Sequence, residues 1–275
     1  MKKITRRSFL AAAGLSVAAL ALTACGGSSS STASSVASSA AASSAAAAEL
    51  TTVEAGKLTM ATNAAFPPYE MTTDAGDFEG IDIETAQAIA DKLGLELQID
   101  DMDFDAALLS VQQGKADIVM AGVTVTDERK NVMDFSDSYA TGIQSIIVPE
   151  GSDIASPDDL AGKKIGTQRG TTGYIYCSDD FGDDAVVAYD DGLTAVQALN
   201  NGQVDAVVID NAPAQEFVAA NPGLVILDTS YAEEDYAIGM AKGNTALEDA
   251  VNAALEELKA DGTLQSIVDK YIVAE

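Results

Sequence analysis

The chain has 275 residues, 47% of them hydrophobic, which is enough to bury the core of one large or two ordinary globular domains. Its formal net charge of −28 argues against a nucleic-acid partner, since the phosphate backbone would be repelled. The lack of histidine and the presence of only two cysteines exclude a histidine-based triad and a histidine-ligated metal, and disfavour a disulfide scaffold.

The N-terminus has the pattern of an export signal. Four basic residues precede an apolar run, Phe9–Leu22, that is too short for a comfortable membrane span. Leu22–Cys25 resembles the lipobox of bacterial lipoproteins, while Thr5–Leu10 resembles a twin-arginine motif, so the export route stays open. We predict a signal peptide over residues 1–24 and a lipid anchor on Cys25 at the outer face of the cell membrane. The alternative is an uncleaved helix with an incidental cysteine.

Residues 25–50 are predicted to be a flexible linker. Nearly every residue from Gly26 to Ala48 is serine, alanine or glycine, and such a composition buries too little apolar surface to fold. The linker would let a globular body move while it stays near the membrane.

The globular body opens with a β-α-β pattern. Lys57–Asn63 predicts a strand, and the prolines of Ala65–Glu70 then interrupt regular structure. An apolar stripe from Ile83 to Leu93 predicts a helix that ends at Gly94, and Leu95–Ile99 predicts the next strand.

A helix–glycine–aspartate–strand pattern occurs twice. Phe104–Gln113 predicts a helix, Gly114 ends it, and a strand begins at Asp117. The same order returns with the same spacing at Gly202 and Asp205. The repetition predicts two similarly built lobes.

The first repeat runs into a strand-to-helix corner, Ala121–Arg129, in which Thr126 is placed to cap the helix. Such a corner presents free backbone N–H groups to an anion. Arg129 opposes the helix dipole, which makes it a candidate clamp for a carboxylate, while Gly122 and Thr124 can accept from an ammonium group. The alternative is an exposed ion pair between Arg129 and an acid on its own helix.

Asp210 directly follows the apolar strand of the second repeat. Ligands of open α/β sheets favour the carboxyl ends of strands, so Asp210 is a candidate for an amino group; alternatively it caps the turn that begins at Asn211. Between the repeats, Lys164–Gln168 predicts a strand and Arg169–Gly173 the start of a helix with free amides. Cys177 is interpreted as a small packing residue.

The end of the chain predicts a return to the first lobe. Tyr236–Ala241 is strand-like, an apolar stripe from Leu247 to Leu258 predicts a helix before Gly262, and Leu264–Tyr271 predicts a last short helix.

Several short segments together carry a family resemblance. They are Phe66–Tyr69, Gly80–Ile83, Thr124–Arg129, Asp134–Asp137, Asp159–Gly162, Gly170–Thr172 and Asn201–Asp205. Over residues 57–271 the chain resembles the bacterial extracellular solute-binding proteins of family 3, the amino-acid receptors of ABC importers.

The resemblance implies an α/β, two-lobed clamshell of the type II periplasmic-binding-protein kind, in which each lobe is a mostly parallel sheet flanked by helices. A double crossover hinge would lie near Ala140–Ile143 and Glu234–Tyr236. Lobe 1 would comprise residues 51–140 and 236–275, and lobe 2 residues 141–235.

The resemblance also implies roles for the site residues. By matching motif positions, Arg129 and the amide of Thr172 would bind an α-carboxylate. Asp210, Gly122 and Thr124 would bind the α-ammonium group.

Phe66 and Phe104 would flank the ligand side chain, although Phe66 could instead fold onto the core. Asn63 stands where relatives that favour basic amino acids often carry an acid. Together with Glu70 and Gln168 it suits hydrogen bonding, and we therefore expect a neutral polar amino acid. An acidic ligand would be favoured if Arg169 turned inward, and a basic one by Glu70.

The implied function is that of a monomeric binding protein, without catalytic residues, metal or cofactor, which delivers an amino acid to an ABC permease and its ATPase. Two other classes remain open. One is an enzyme similar to cyclohexadienyl dehydratase, in which Glu70 or Asp210 would be the acid or base. The other is a ligand sensor or adhesin that works without a transporter.

Overall fold

The computed structural model describes residues 50–272 of the protein. The predicted signal peptide, the predicted anchor Cys25 and nearly all of the predicted linker lie outside these residues. Within them, no helix has both the length and the apolar character needed to cross a membrane.

Short strands and helices alternate along the described chain. The strands are β1 (Lys57–Thr62), β2 (Ala65–Phe66), β3 (Glu70–Thr72), β4 (Phe78–Glu79), β5 (Glu96–Asp101), β6 (Ile118–Val119), β7 (Met133–Phe135), β8 (Ala140–Pro149), β9 (Ile165–Gln168), β10 (Val186–Tyr189), β11 (Ala206–Asp210), β12 (Leu224–Ile226), β13 (Ala232–Tyr236) and β14 (Gly239–Ala241). The helices are α1 (Ile81–Leu93), α2 (Phe104–Gln112), α3 (Asp127–Val132), α4 (Thr172–Phe181), α5 (Gly192–Asn200), α6 (Asn211–Ala220), α7 (Thr245–Ala260) and α8 (Thr263–Tyr271), with single 3-10 turns at Pro157–Leu160 and Asp183–Ala185.

The strands form a five-stranded sheet in the order β5-β1-β6-β14-β7, a six-stranded sheet in the order β10-β9-β11-β8-β12 with β13 also paired to β8, and a small sheet of β2, β3 and β4. In each large sheet the first three strands of this order are parallel. Antiparallel pairs come from β14 in one sheet and from β8 in the other. We call the five-stranded sheet with its helices the first lobe, and the six-stranded sheet with its helices the second lobe. The predicted α/β class is confirmed.

The repeated glycine–aspartate pattern performs the same task in both lobes. Asp117 accepts a hydrogen bond from the backbone N–H of Thr59 at 2.8 Å, and Asp205 accepts one from Lys164 at 2.7 Å. Each carboxylate thereby ties the start of its strand to the neighbouring parallel strand. The glycines that follow α2 and α5 have φ of 66° and 67°, a conformation that glycine adopts without strain.

The predicted apolar stripes are buried. On α7 the buried residues recur at helical spacing: Leu247, Val251, Ala254, Leu255 and Leu258. They belong to the same apolar cluster as Ile83, Ile89 and Ala90 of α1, and burying each large aliphatic side chain contributes roughly 1.5–3 kcal/mol. Cys177 is fully buried in an apolar cluster of the second lobe, which fits its predicted packing role.

One predicted element is divided in the structure. The strand expected over Tyr236–Ala241 is two strands, because β13 ends at Tyr236 in the second lobe and β14 begins at Gly239 in the first. Between them the N–H of Ala237 donates to the carbonyl of Val123 at 3.1 Å. The chain therefore leaves one sheet and enters the other within two residues.

Candidate ligand-binding site

A cavity is lined by residues of both lobes, and all nine predicted ligand residues contribute to it. It holds about 440 Å³ of empty space, part of which is open to solvent. The first lobe supplies Asn63, Phe66, Phe104, Gly122, Thr124 and Arg129, and the second supplies Gln168, Thr172 and Asp210. The structure brings these residues together, while their roles in binding remain predictions.

Arg129 is a buried cation, only 8% exposed. Its Nη1 donates to the carbonyl of Thr124 at 2.8 Å, its Nη2 donates to the carbonyl of Gly170 at 3.1 Å, and its guanidinium lies 5.4 Å from the ring centre of Phe104. No ion pair of Arg129 is found between residues 50 and 272. The alternative of an exposed ion pair is therefore wrong, and the cavity contains a positive charge that an anion would stabilise.

The local sequence explains this position. Thr126 caps α3, as predicted, by accepting from the N–H of Arg129 at 3.1 Å. Because helical side chains lean towards the helix N-terminus, Arg129 extends back to the loop that precedes α3. Its burial lowers the pKa of the guanidinium, and the negative charge of Glu234 partly opposes that shift.

The start of α4 supplies the second set of donors. Thr171 caps this helix by accepting from the N–H of Tyr174 at 3.3 Å, and Thr172 is buried at the first helical position. The first amides of a helix have no partner within it and favour an anion. A carboxylate between Arg129 and Thr172 would thus meet donors from both lobes.

Asp210 is held by two backbone amides. Its Oδ2 accepts from the N–H of Ile143 at 2.7 Å, and its Oδ1 accepts from the N–H of Ala212 at 3.0 Å as the cap of α6. The capping alternative is thus correct, and the same residue also lines the cavity. Burial raises the pKa of Asp210 to about 6, while its backbone hydrogen bonds oppose the shift. A ligand ammonium group nearby would favour the ionised form.

Gly122 forms part of the cavity wall in a left-handed conformation, with φ of 54°. A Cβ atom there would lie 2.9 Å from the ring of Phe66 and 3.2 Å from that of Tyr236, so any other residue would have to displace a ring as well as adopt a strained backbone. The N–H of Gly122 donates at 3.0 Å to Asp82, a fully buried acid that also accepts from Tyr139 Oη at 2.8 Å. Asp82 belongs to the Gly80–Ile83 segment of the family resemblance, and no sequence pattern assigned it a role.

Asn63 and Gln168 meet across the two lobes. Gln168 Nε2 donates to Asn63 Oδ1 at 2.8 Å, and Asn63 Nδ2 donates to the carbonyl of Met102 at 3.0 Å. The side chain of Arg169 is instead 56% exposed and lies 3.6 Å from a carboxylate oxygen of Asp190. Arg169 does not turn inward, so the condition for an acidic ligand is not met.

Glu70 lines the cavity and is fully buried. Neither of its carboxyl oxygens accepts a hydrogen bond from an N–H or hydroxyl group of the described chain. Burial, and then the charge of Asp82, raise the pKa of Glu70 well above its ordinary value. Glu70 therefore keeps its proton to a higher pH than an ordinary glutamate, and in that neutral form it can donate a hydrogen bond.

Three residues at the site were missed by sequence reasoning. Gln144 and Tyr236 line the cavity, and Glu234 lies behind it with one carboxylate oxygen bonded to Thr124 and Thr172. Only the predicted hinge position of Glu234–Tyr236 pointed to this part of the chain. Their place depends on the pairing of β13 with β8, which has no local sequence signal.

Known proteins similar to this chain identify its family. Residues 58–274 match the model of the family described as bacterial extracellular solute-binding proteins, family 3. An L-cystine-binding protein of Escherichia coli strain K12 is 34% identical over 81% of this chain and 85% of the relative. A probable histidine-binding protein of Neisseria gonorrhoeae is 33% identical over 96% of this chain and 95% of the relative. A solved structure of an ancestral arginine-binding protein bound to glutamine is 42% identical, has a TM-score of 0.77, and covers 80% of this chain and 100% of that one.

Proposed function

Since the chain belongs to the bacterial extracellular solute-binding proteins of family 3, we propose that it captures an amino acid in the cavity between its lobes. It then delivers this ligand to the permease and ATPase of an ABC importer. The observation that carries the proposal is Arg129, a buried cation without an ion-pair partner in the described chain, in the same cavity as the carboxylate of Asp210. An α-amino acid presents the two complementary charges.

Capture is coupled to movement of the lobes about a hinge at Ala140–Ile143 and Glu234–Tyr236. These segments are paired strands, with Ala140 opposite Tyr236. A ligand that contacts Arg129 and Thr172 touches both lobes at once and stabilises the closed form, which a permease can distinguish from the open one.

The preferred ligand is a neutral polar amino acid. Asn63, Gln144 and Gln168 line the cavity with amide groups, and burial raises the pKa of Glu70 and so favours its neutral form. A side-chain amide of the ligand could both donate to and accept from such groups.

A basic amino acid is the second candidate, and the unpartnered carboxyl group of Glu70 favours it. A guanidinium group would supply donors and would favour ionisation of Glu70. Ancestral arginine-binding proteins similar to this chain have been solved bound to glutamine and bound to arginine, which supports both ligand classes as candidates.

A binding role is favoured over catalysis. Asp210 is fixed by two backbone amides, and the comparisons name their proteins for the amino acid that they bind. Incubation of the purified protein with any ligand it binds, followed by mass spectrometry, should return the ligand unchanged. Turnover would favour the dehydratase-like alternative.

The membrane attachment is proposed to depend on Cys25. Replacing Cys25 with serine should leave ligand affinity unchanged and release the protein from the membrane fraction. A variant that stays on the membrane would refute the lipid anchor.

The direct test is a thermal-shift screen of the protein without residues 1–48 against the twenty amino acids, cystine and carboxylates that lack an α-amino group. The described residues of this form, 50–272, belong to one compact unit, so this form should fold. A ligand at about 100 times its Kd adds roughly 2.7 kcal/mol to the free energy of unfolding. A shift with amino acids only supports the proposal, whereas a shift only with carboxylates that lack the ammonium group would contradict it.

A further inference from the structure

Glu234 lies behind the cavity and joins elements of both lobes. It is a buried residue of β13, and its Oε2 accepts from Thr172 Oγ1 at 2.9 Å, from Thr124 Oγ1 at 3.1 Å and from Gln144 Nε2 at 3.0 Å. Thr124 lies in the loop before α3 of the first lobe, and Thr172 opens α4 of the second. A single carboxylate oxygen therefore fixes one hydroxyl group from each lobe.

The hydrogen bonds to Glu234 determine whether the two hydroxyl groups can act on a ligand as donors or as acceptors. A threonine hydroxyl has one hydrogen to donate and two lone pairs with which to accept. The two hydroxyl oxygens lie 3.4 Å apart, but Glu234 offers each hydrogen a shorter contact and a charged acceptor, which forms the stronger bond. Both hydrogens are thus directed at Glu234, and lone pairs of both hydroxyl groups remain for the cavity that Thr124 and Thr172 line.

The second carboxylate oxygen of Glu234 and the charges near it also favour an ammonium group at the two hydroxyl groups. Glu234 Oε1 is buried and has no hydrogen-bond partner in the described chain. The negative charge of Glu234 acts on two charged side chains of the cavity. It works against the lowering of the Arg129 pKa by burial, and it adds to the raising of the Asp210 pKa by burial. The region around the two hydroxyl groups therefore has acceptors and negative charge, and Arg129 supplies the opposing positive charge.

We infer that Glu234 is a positioning residue that orients the Thr124 and Thr172 hydroxyl groups as acceptors for the ligand's α-ammonium group. The inference rests on the proposed capture of an amino acid and extends it. The ligand carboxylate is left to Arg129 and the first amides of α4, because neither hydroxyl group has a hydrogen free to donate.

This arrangement predicts how the site selects between related carboxylates. An amino acid supplies a charged donor to the two hydroxyl oxygens. A 2-hydroxy acid supplies a single neutral donor, and a 2-oxo acid supplies only an acceptor, which faces other acceptors. We expect affinity to fall in that order, since a buried polar group left without a partner is costly.

The test replaces Glu234 with glutamine, which keeps the shape and removes the charge. Glu233→Gln is the matched control, because Glu233 is the adjacent, exposed residue of the same strand. The Kd values of L-glutamine and L-arginine, and of the analogue of each with a hydroxyl in place of the α-ammonium group, are measured by calorimetry on the mature protein. We expect Glu234→Gln to reduce the preference for the amino acid over its hydroxy analogue by about tenfold or more, and Glu233→Gln to leave it unchanged.

Each outcome has a defined meaning. If Glu234→Gln weakens the binding of the amino acid and of its hydroxy analogue by the same factor, Glu234 only supports the fold and the inference is overturned. If the variant does not fold, Thr172→Val removes one hydroxyl group and keeps the backbone amide; an unchanged preference in that variant also overturns the inference. If the unmodified protein binds no amino acid in the thermal-shift screen, the proposed function is wrong. This result can be told apart from a failure of the inference about Glu234, because it is obtained without any variant.

Discussion

Arg129 combines burial with a position where it reaches both lobes. Replacing it with alanine should weaken amino-acid binding by about 2–5 kcal/mol, because the ligand carboxylate would lose its charged partner in a buried site. Calorimetry on the purified variant measures the loss. Lys130→Ala is the control, since Lys130 is the next residue of α3 and is exposed. Affinity retained within a factor of a few in Arg129→Ala would exclude the carboxylate clamp.

Glu70 should make the pH dependence of binding differ between ligand classes. The pKa of this buried acid is raised, so it is protonated in the ligand-free protein at pH values where an ordinary glutamate is ionised. Binding of arginine would favour loss of that proton, and its affinity should rise with pH. Binding of either amino acid favours ionisation of Asp210, whose pKa is about 6, so both affinities should rise around that pH. Binding of glutamine to the neutral form of Glu70 requires no proton loss from Glu70, so the rise should be smaller for glutamine than for arginine.

Titration calorimetry of both ligands from pH 5 to pH 8 checks this difference. Glu70→Gln imitates the neutral acid and should retain glutamine binding, while it removes the additional rise for arginine and leaves the rise that both ligands owe to Asp210. If the affinities of the two ligands change with pH in the same way, Glu70 does not interact with the ligand side chain.

Single residues were predictable where a local pattern marked them. Asp210 stands at the end of an apolar strand, where ligands of α/β sheets bind, and Arg129 follows a strand-to-helix corner marked by the cap residue Thr126. Glu234 had no comparable signal, since its partners Thr124 and Thr172 are distant in sequence and meet only after both lobes have formed. The capping role of Asp210 was predicted only as an alternative to binding, because a local pattern does not show that one carboxylate can cap a helix and line a cavity at the same time.

At the scale of elements, the loop after β6 shapes the cavity through Gly122. Gly122→Ala should cost about 1–2 kcal/mol from the left-handed backbone alone, and its Cβ should also displace the ring of Phe66. Ligand affinity should therefore fall together with stability.

Gly94→Ala is the matched control for this change. Gly94 has φ of 70°, and a Cβ atom there would meet nothing within 4 Å. Both variants should lose stability in denaturant titrations, and only Gly122→Ala should lose affinity. Equal affinities in the two variants would contradict the steric role of Gly122.

Elements were predictable where the apolar periodicity of a segment agreed with a glycine that marks its end. The stripes of α1 and α7 and the two glycine–aspartate repeats were found because each is set by residues close in sequence. The division of Tyr236–Ala241 was not, because both parts have strand-like composition. Which sheet each part joins depends on tertiary pairing.

For the whole molecule, the buried acids predict the pH dependence of stability. The pKa values of Asp82 and Asp210 are raised from 3.8 to about 6, chiefly by burial. Between these values the unfolded chain has released protons that the folded chain still holds, so both groups make stability fall as pH rises from about 4 to about 6. The free energy of unfolding from denaturant titrations should show a smaller decline over this window in Asp82→Asn than in the unmodified protein. An identical pH dependence of the two proteins would contradict the raised pKa of Asp82.

The position of β14 between β6 and β7 also sets the order in which the molecule can be completed. All strands of the second sheet lie in one continuous stretch, from β8 to β13, whereas the first sheet needs β14 from beyond that stretch. Whether the chain emerges from the ribosome or from an export channel, its N-terminus comes first, and β7 has no partner strand until Gly239–Ala241 follows. The lobe that begins first therefore finishes last, and until β14 arrives its open sheet edges delay the burial of the early core.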